Sequence, residues 1–425
     1  MKVFPLLDSD QNLFPPTQQA AILAKYSRSP DTVETLIAGT PEFKSDAFQE
    51  RVVVNYGHSS VAELATIPVC FEGVSIVASK VLESLPRPGC SEKSTRMVKF
   101  HRSQWYDPTE DGSLGEEFAN LLQSMFSLYD RVIDWAQTAG FEEREALDIA
   151  RSILPAGVTT NLGLVAYPRD LAKLQQYLLS SPNPELCNIG RHMQANLQKI
   201  GGPLIRHAEA QPWLQNWQPA HGGFLPVQAA AGIGAYLVQF SAAHRFAEED
   251  FYAFAAQVYG MTVDDFIEKM NARPFKAEVP DAFRALRAVF TICIDFGSFR
   301  DLQRHRRMNQ QVPLFRANYG WVTPKELLNS DLTKEFCALM HDLQGRVHVS
   351  SQPSWARQYV IPMAFLHICE FDMDLQQLYY LTELRTQPGG HINYRQVAWQ
   401  MAQAATKIWP KAMRWCRAVC PDDLE

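Results

Sequence analysis

The feature that most constrains this chain is a long-range repeat of its own sequence. Ala150-Arg151-Ser152-Ile153-Leu154-Pro155 returns as Ala356-Arg357-Gln358-Tyr359-Val360-Ile361-Pro362, one residue longer. Asp170-Leu171-Ala172-Lys173-Leu174 returns as Asp374-Leu375-Gln376-Gln377-Leu378, and Arg191 falls opposite Arg395. Upstream, two short runs rich in β-branched and aromatic residues, Thr66–Phe71 and Val289–Phe296, read as strands. Each leads into a helix through similar chemistry, Gly73-Val74-Ser75-Ile76 in the first half and Gly297-Ser298-Phe299 in the second. The shared order of these pairs argues for a tandem duplication. Between the halves, Gln211–Val227 holds Pro212, Pro219, Gly222, Gly223 and Pro226, a density of breakers that suits a linker. The expected domains are therefore a first module over 1–215 and a second over 225–425.

Helical periodicity dominates each module. Apolar residues recur near every 3.6 positions over Thr17–Arg28, Ser45–Tyr56, Gly115–Thr138, Asp170–Leu179, Ala243–Tyr259, Phe283–Ala288, Lys334–Gly345 and Gly390–Trp409. With only a few strands, the fold class is α+β: two related modules with helices packed on a mixed β-sheet. The 46 acidic residues outnumber the 40 basic ones, which argues against a partner recognised through its phosphate backbone, and no nucleic acid is expected. The start of the chain has its apolar run cut by Pro5 and Asp8, and the longest apolar stretch, near Ala229–Phe240, is too short to span a bilayer. A soluble, cytoplasmic protein without a membrane partner is the expectation. The eight cysteines form no CxxC pair and read as buried, reduced thiols; Cys416 and Cys420 lack the companions a zinc site needs, so no metal is expected.

Three strings carry chemistry. Arg304-His305-Arg306-Arg307 gathers three guanidiniums around an imidazole at a helix end. The macrodipole favours cations there, but adjacent cations repel unless an anion joins them. Tyr56-Gly57-His58-Ser59-Ser60-Val61-Ala62-Glu63 contains the Ser60/Glu63 spacing of a capping box, and such a helix start also offers N–H groups to a phosphate. Ser91-Glu92-Lys93-Ser94-Thr95-Arg96 is either a polar turn or a seat for a phosphate monoester. No nucleophile elbow, P-loop or dinucleotide fingerprint is present.

Together these strings resemble the flavin-dependent thymidylate synthases, one module per half. That family carries an Arg-His-Arg-x-x-Ser-x-Asn-Glu-x-Ser-x-Arg motif, an upstream Gly-His segment, and downstream Ala-Arg-x-x-Leu-Pro and Leu-Arg elements. The two halves split the pattern. The first keeps Gly57-His58, Glu63, Glu92, Ser94 and Arg96, but has Ser84-Leu85-Pro86 in place of Arg-His-Arg and Leu64 in place of a second histidine. The second keeps Arg304-His305-Arg306, Arg357, Leu384-Arg385 and Arg395, but its motif tail has become Gln311-Val312-Pro313-Leu314-Phe315-Arg316. One complete site built from two incomplete modules is the implication.

The resemblance implies residue roles, position by position. His58, Ser60, Arg304, His305 and Arg306 would bind FAD; Ser94, Thr95 and Arg96 would seat the nucleotide phosphate. Arg357 and Arg385 would grip phosphate or the pyrimidine imide and serve as the catalytic residues. The implied reaction is reductive one-carbon transfer to C5 of a dUMP-like pyrimidine nucleotide, with NADPH as reductant and methylenetetrahydrofolate as carbon donor, in a homodimer that imitates a tetramer of single modules. No protein nucleophile is required, in keeping with the absence of one. Leu64, Val312 and Leu314 replace polar groups, and Thr95 replaces a glycine. These departures leave open a flavoenzyme of the same fold with another substrate or reaction, or a non-catalytic nucleotide- or flavin-binding protein.

Overall fold

The computed structural model describes residues 5–41, 59–86, 88–205, 208–215, 237–244 and 250–421. His58, the expected helix Ser45–Tyr56 and most of the expected linker lie outside them. The chain forms two compact units. The first comprises Met1–Lys93, Tyr106–Ser113 and Thr159–Gln218; the second comprises Ser94–Trp105, Leu114–Val158 and Pro219–Glu425.

In the first unit, β1 (Ile67–Ser75), β2 (Gly89–Glu92) and β3 (Thr159–Ala166) form a sheet in the order β1-β3-β2. Alternation along β3 buries Thr160, Leu162, Leu164 and Ala166 on one face. The helices Pro168–Leu179 and Pro184–Gly201 supply Leu171, Leu174, Leu178, Ile189 and Met193 to the same core. The expected strand Thr66–Phe71 runs on to Ser75 because Gly73, at φ +66°, absorbs a bulge between Phe71 and Val74. Ser75 then caps the helix Ile76–Leu82 by accepting from Ala78 N–H at 2.9 Å.

The second unit has β4 (Leu237–His244), β5 (Leu286–Asp295), β6 (Asn309–Gln311) and β7 (Leu366–Asp374) in the order β4-β5-β7-β6. Within it, β5-β7-β6 repeats the order of β1-β3-β2, with the same strand-to-helix step after the first strand. Helices pack on small sheets as expected for an α+β chain, and among the described residues every strand pair is antiparallel. The expected helix Phe283–Ala288 is absent: Asp281–Ala285 is a 3-10 turn, and β5 begins at Leu286. Partners on both β4 and β7 claim that apolar segment, overriding its local periodicity. The helix Ala119–Thr138 buries Leu121, Leu122, Met125, Tyr129 and Val132, as its period predicts.

The two Ala-Arg segments of the repeat pair with each other inside this unit. Ala156 N–H donates to the Ile361 carbonyl and Gly157 N–H to that of Tyr359, both at 2.9 Å. In return Met363 N–H donates to Leu154 at 3.0 Å and Ala364 N–H to Ser152 at 2.8 Å. Gly157 is required here, because a Cβ would lie 2.6 Å from the Tyr359 carbonyl oxygen and from Trp105 Nε1. The cysteines are all free thiols, but only Cys293 and Cys369 are buried; Cys70 is exposed, since its position on β1 faces away from the core.

Candidate functional site

The site grows out of the end of β5. Asp295 caps the helix Phe296–Gln303, its Oδ2 accepting from Ser298 N–H at 2.8 Å, while Oδ1 accepts from Asn393 Nδ2 at 2.8 Å. This carboxylate thus ties together the N-termini of Phe296–Gln303 and Ile392–Ile408. Burial raises its pKa, with the Arg151 charge opposing. His391 caps the second helix: its Nδ1 accepts from Asn393 N–H at 3.3 Å and lies 3.4 Å from Ser298 Oγ. Burial first, then the charges of Arg151 and Arg96, hold His391 well below its ordinary pKa, so the ring is neutral. With Nδ1 accepting, the proton sits on Nε2, which has no partner among the described residues.

Arg151 lies beside these caps and is 4 % exposed. Its Nε is 3.0 Å from Asp148 Oδ1, and its Nη1 is 3.7 Å from Asp301 Oδ2. Burial opposes its charge, but Asp148, Asp301 and Asp295 outweigh that and raise its pKa. Arg96 Nη2 reaches the other oxygen of Asp148 at 3.0 Å. Arg300, in the middle of the Phe296–Gln303 helix, donates to Thr95 Oγ1 at 3.2 Å and to Met363 Sδ at 3.6 Å. A pocket with room for about two waters opens among Asp148, Arg151, Asp295, Gly297, Lys325 and His391. Its walls mix cations and carboxylates, with donors from two helix N-termini.

The Arg-His-Arg string follows the same helix. Arg304 is its C-cap and is exposed, with no hydrogen-bond or carboxylate partner for its guanidinium among the described residues. His305 turns inward: Arg385 Nε–H donates to its Nε2 at 2.8 Å. The neutral ring then carries its proton on Nδ1, facing the Gln377 side-chain amide at 3.3 Å, whose oxygen and nitrogen exchange places on a flip. Burial, then the Arg385 and Arg306 charges, push the His305 pKa down to about 3. Tyr380, 57 % exposed, stands edge-on to the imidazole with ring centroids 5.5 Å apart. Arg385 also lies over the Tyr394 ring, 5.6 Å from its centroid. Arg307, the last of the string, pairs instead with Glu278 and Asp374.

The sequence-derived candidates divide accordingly. Thr95 and Arg96 join the network of Arg300, Asp148 and Arg151, whereas Ser94 Oγ accepts from Arg96 N–H at 3.2 Å in a local turn. His305 and Arg385 meet directly. Arg357 is drawn to a helix end, donating to the Val347 carbonyl at 2.9 Å. Ser60 is exposed in the 3-10 helix Ser59–Glu63, and Glu63 pairs with Arg169. The second-half counterpart of the Ser94–Arg96 loop is closed off. Phe315 stacks on Phe296 at 4.2 Å, and its N–H donates to Gln358 Oε1 at 2.8 Å.

Asp148, Arg151, Asp295, Arg300 and His391 are the site residues that sequence reasoning did not single out. Arg151 had a signal, since it occupies the repeat position of Arg357. Asp295 and His391 had a fainter one, each preceding a helical run as an N-cap does.

The family model described as "Thymidylate synthase complementing protein" matches residues 12–200 and 241–411. Among curated proteins, a "UPF0159 protein" of Chlamydia muridarum is 26 % identical, covering 86 % of this chain and 80 % of its own. A UPF0159 protein of Thermoplasma acidophilum is 25 % identical over 92 % of this chain and 93 % of its own. Among solved structures, the flavin-dependent thymidylate synthase of Helicobacter pylori complexed with FAD and dUMP is 15 % identical, with a TM-score of 0.35, over 46 % of this chain and 95 % of that one.

Proposed function

Because the chain belongs to the thymidylate synthase complementing protein family, we propose that it is a flavin-dependent enzyme of the thymidylate synthase type, acting on a pyrimidine nucleotide. In this reading the chain is a fused pair of modules, and its site is assembled from the retained pieces of each. The observation that carries it is the 3.2 Å contact between Thr95 and Arg300. Thr95 belongs to the motif tail kept by the first half; Arg300 lies one turn before the Arg-His-Arg kept by the second. Both stand in one compact unit.

The residues around Arg304 suit FAD. A flat, uncharged His305 is held by Arg385, an exposed tyrosine ring stands beside it, and the Arg304 guanidinium has no partner among the described residues. Such a surface fits a planar ring with anionic substituents. When bound, the flavin supplies the hydride chemistry that no side chain here can perform. The chain's own work is placement and charge. Arg385 holds the imidazole in one tautomer, so that the turn presents a fixed surface. Arg96 and Arg151 furnish guanidinium donors for a nucleotide phosphate, and Arg300 holds the Thr95 turn in place. Asp295 and His391 keep two helix N-termini pointed at the pocket. Arg357, in this proposal, steadies the Ala-Arg-x-x-Pro element rather than gripping substrate, because its guanidinium is engaged by a carbonyl. A homodimer belongs to the same proposal and is checked by light scattering.

The test has two steps. An absorption spectrum of the purified protein, with mass spectrometry of whatever denaturation releases, should identify FAD. Tritium release from C5-labelled dUMP, in the presence of reductant and methylenetetrahydrofolate, should then follow. Bound FAD without tritium release points to a flavoenzyme with another substrate; a colourless protein that binds nucleotide alone refutes the proposal.

A further inference from the structure

Asp148 holds an unusual position in the candidate site. One of its oxygens faces Arg151 Nε and the other Arg96 Nη2, each at 3.0 Å, so one carboxylate bridges two guanidiniums. It leaves donors over. Among the described residues, Arg151 Nη2 and Arg96 Nε are buried without a hydrogen-bond partner, and so is Asp148 Oδ1, whose contact with Arg151 Nε is an ion pair and not an aligned hydrogen bond. A carboxylate has two oxygens and one charge; the two guanidiniums offer more donors than it can occupy. Asp301, 3.7 Å from Arg151 Nη1, is too distant to make up the shortfall. A tetrahedral oxyanion with three or four oxygens matches the donor set better than the aspartate does. The Asp148 side chain is 16 % exposed and that of Arg96 is 18 %, so neither is sealed from solvent.

We propose that Asp148 is an internal counter-anion that sets ligand affinity: it occupies the seat between Arg96 and Arg151 in the free protein, and a phosphate group displaces it on binding. This rests on the reading of Arg96 and Arg151 as the phosphate-seating pair. Without any anion, the buried Arg151 would stand uncompensated, at a cost the aspartate removes. The same aspartate makes phosphate binding a competition, so the seat favours ligands that also gain contacts elsewhere over free phosphate alone.

The experiment is calorimetric titration of the full chain with inorganic phosphate and, separately, with dUMP, comparing wild type, Asp148→Asn and Arg96→Ala/Asp148→Asn. Asp148→Asn should bind inorganic phosphate about tenfold more tightly or better, the yield of one recovered charge-assisted hydrogen bond. The double variant should lose that gain. Equal or weaker phosphate binding by a folded Asp148→Asn overturns the proposal. A replaceable counter-anion also requires that phosphate substitute for it in folding. Asp148→Asn, and Asp148→Ser as a second variant, should therefore melt higher in phosphate buffer than in chloride, by more than wild type does. Failure of both to fold even in phosphate overturns the proposal as well. Because the readout is inorganic phosphate, the result stands apart from the flavin chemistry. Tighter phosphate binding in a protein that never carries FAD would sink the proposed enzyme activity and leave this inference intact.

Discussion

His367 offers a sharp test of how this fold treats a buried titratable group. It sits on β7, 2 % exposed, with Phe299 at 5.0 Å, Phe315 at 5.7 Å and Phe296 at 5.8 Å, all edge-on to its ring. Its Nε2 has no hydrogen-bond partner among the described residues, and burial pushes its pKa from 6.5 down to about 3. Between those values the unfolded chain takes up a proton that the folded chain refuses. Stability therefore falls as pH drops through that window, and it is intact above the unfolded value. At pH 5 the loss relative to pH 7.5 is about 2 kcal/mol from this ring alone, rising to about 5 kcal/mol below pH 3. His367→Phe removes the titration and leaves an aromatic among aromatics. Urea unfolding at pH 7.5 and pH 5.0, followed by tryptophan fluorescence, should show the variant losing about 2 kcal/mol less than wild type between the two. The comparison cancels other groups, including His305, which is displaced in the same direction. An identical pH dependence in the two proteins would show that the imidazole is hydrated or protonated in the folded state, and the reasoning would fail.

The Arg304→Ala/Arg306→Ala variant should release flavin during gel filtration, each change removing a contact of about 1.5–3 kcal/mol; full flavin occupancy contradicts the role given to that turn. Glu383→Ala should cost about 3–5 kcal/mol in urea unfolding, because it strands the buried Arg273, which otherwise pairs with Glu383 and donates to the Trp415 carbonyl at 3.1 Å. Converting both partners to apolar residues should recover part of that loss, and no recovery would point to the lost packing instead. Gly157→Ala should lower stability by about 1–3 kcal/mol, since its methyl group meets the Tyr359 carbonyl at 2.6 Å; a melting temperature equal to wild type would mean that this pairing of the two Ala-Arg segments yields easily.

Much of the architecture was legible from the chain alone, for local reasons. The period of Ala119–Thr138 and Thr333–Val349 needs no partner to be recognised, and the segments Asp170–Leu174 and Asp374–Leu378, matched in the repeat, both open helices that follow an interior strand of their sheet. The split of the motif between the halves was also visible as a pattern of losses: Ser84-Leu85-Pro86 where Arg-His-Arg would stand, Leu314-Phe315 where Ser94-Thr95 stand. Phe283–Ala288 was misread because its short apolar run suits either period, and only neighbouring strands decide between them.

What the sequence by itself determined is the inventory: which residues each half retains, and that it carries no nucleophile-elbow, P-loop or dinucleotide motif. What only the tertiary structure decided is who neutralises whom. Nothing in the spacing of Arg96, Asp148 and Arg151 says that one carboxylate will bridge two guanidiniums, nor that Arg385 will hold His305 uncharged. Asp148 and Arg151 stand three residues apart, but Arg96 and Asp148, like His305 and Arg385, are far apart in the chain, and the strength of all these pairings depends on burial. The desolvation that pushes His305 down and Asp295 up exists only once strands and helices have closed around them.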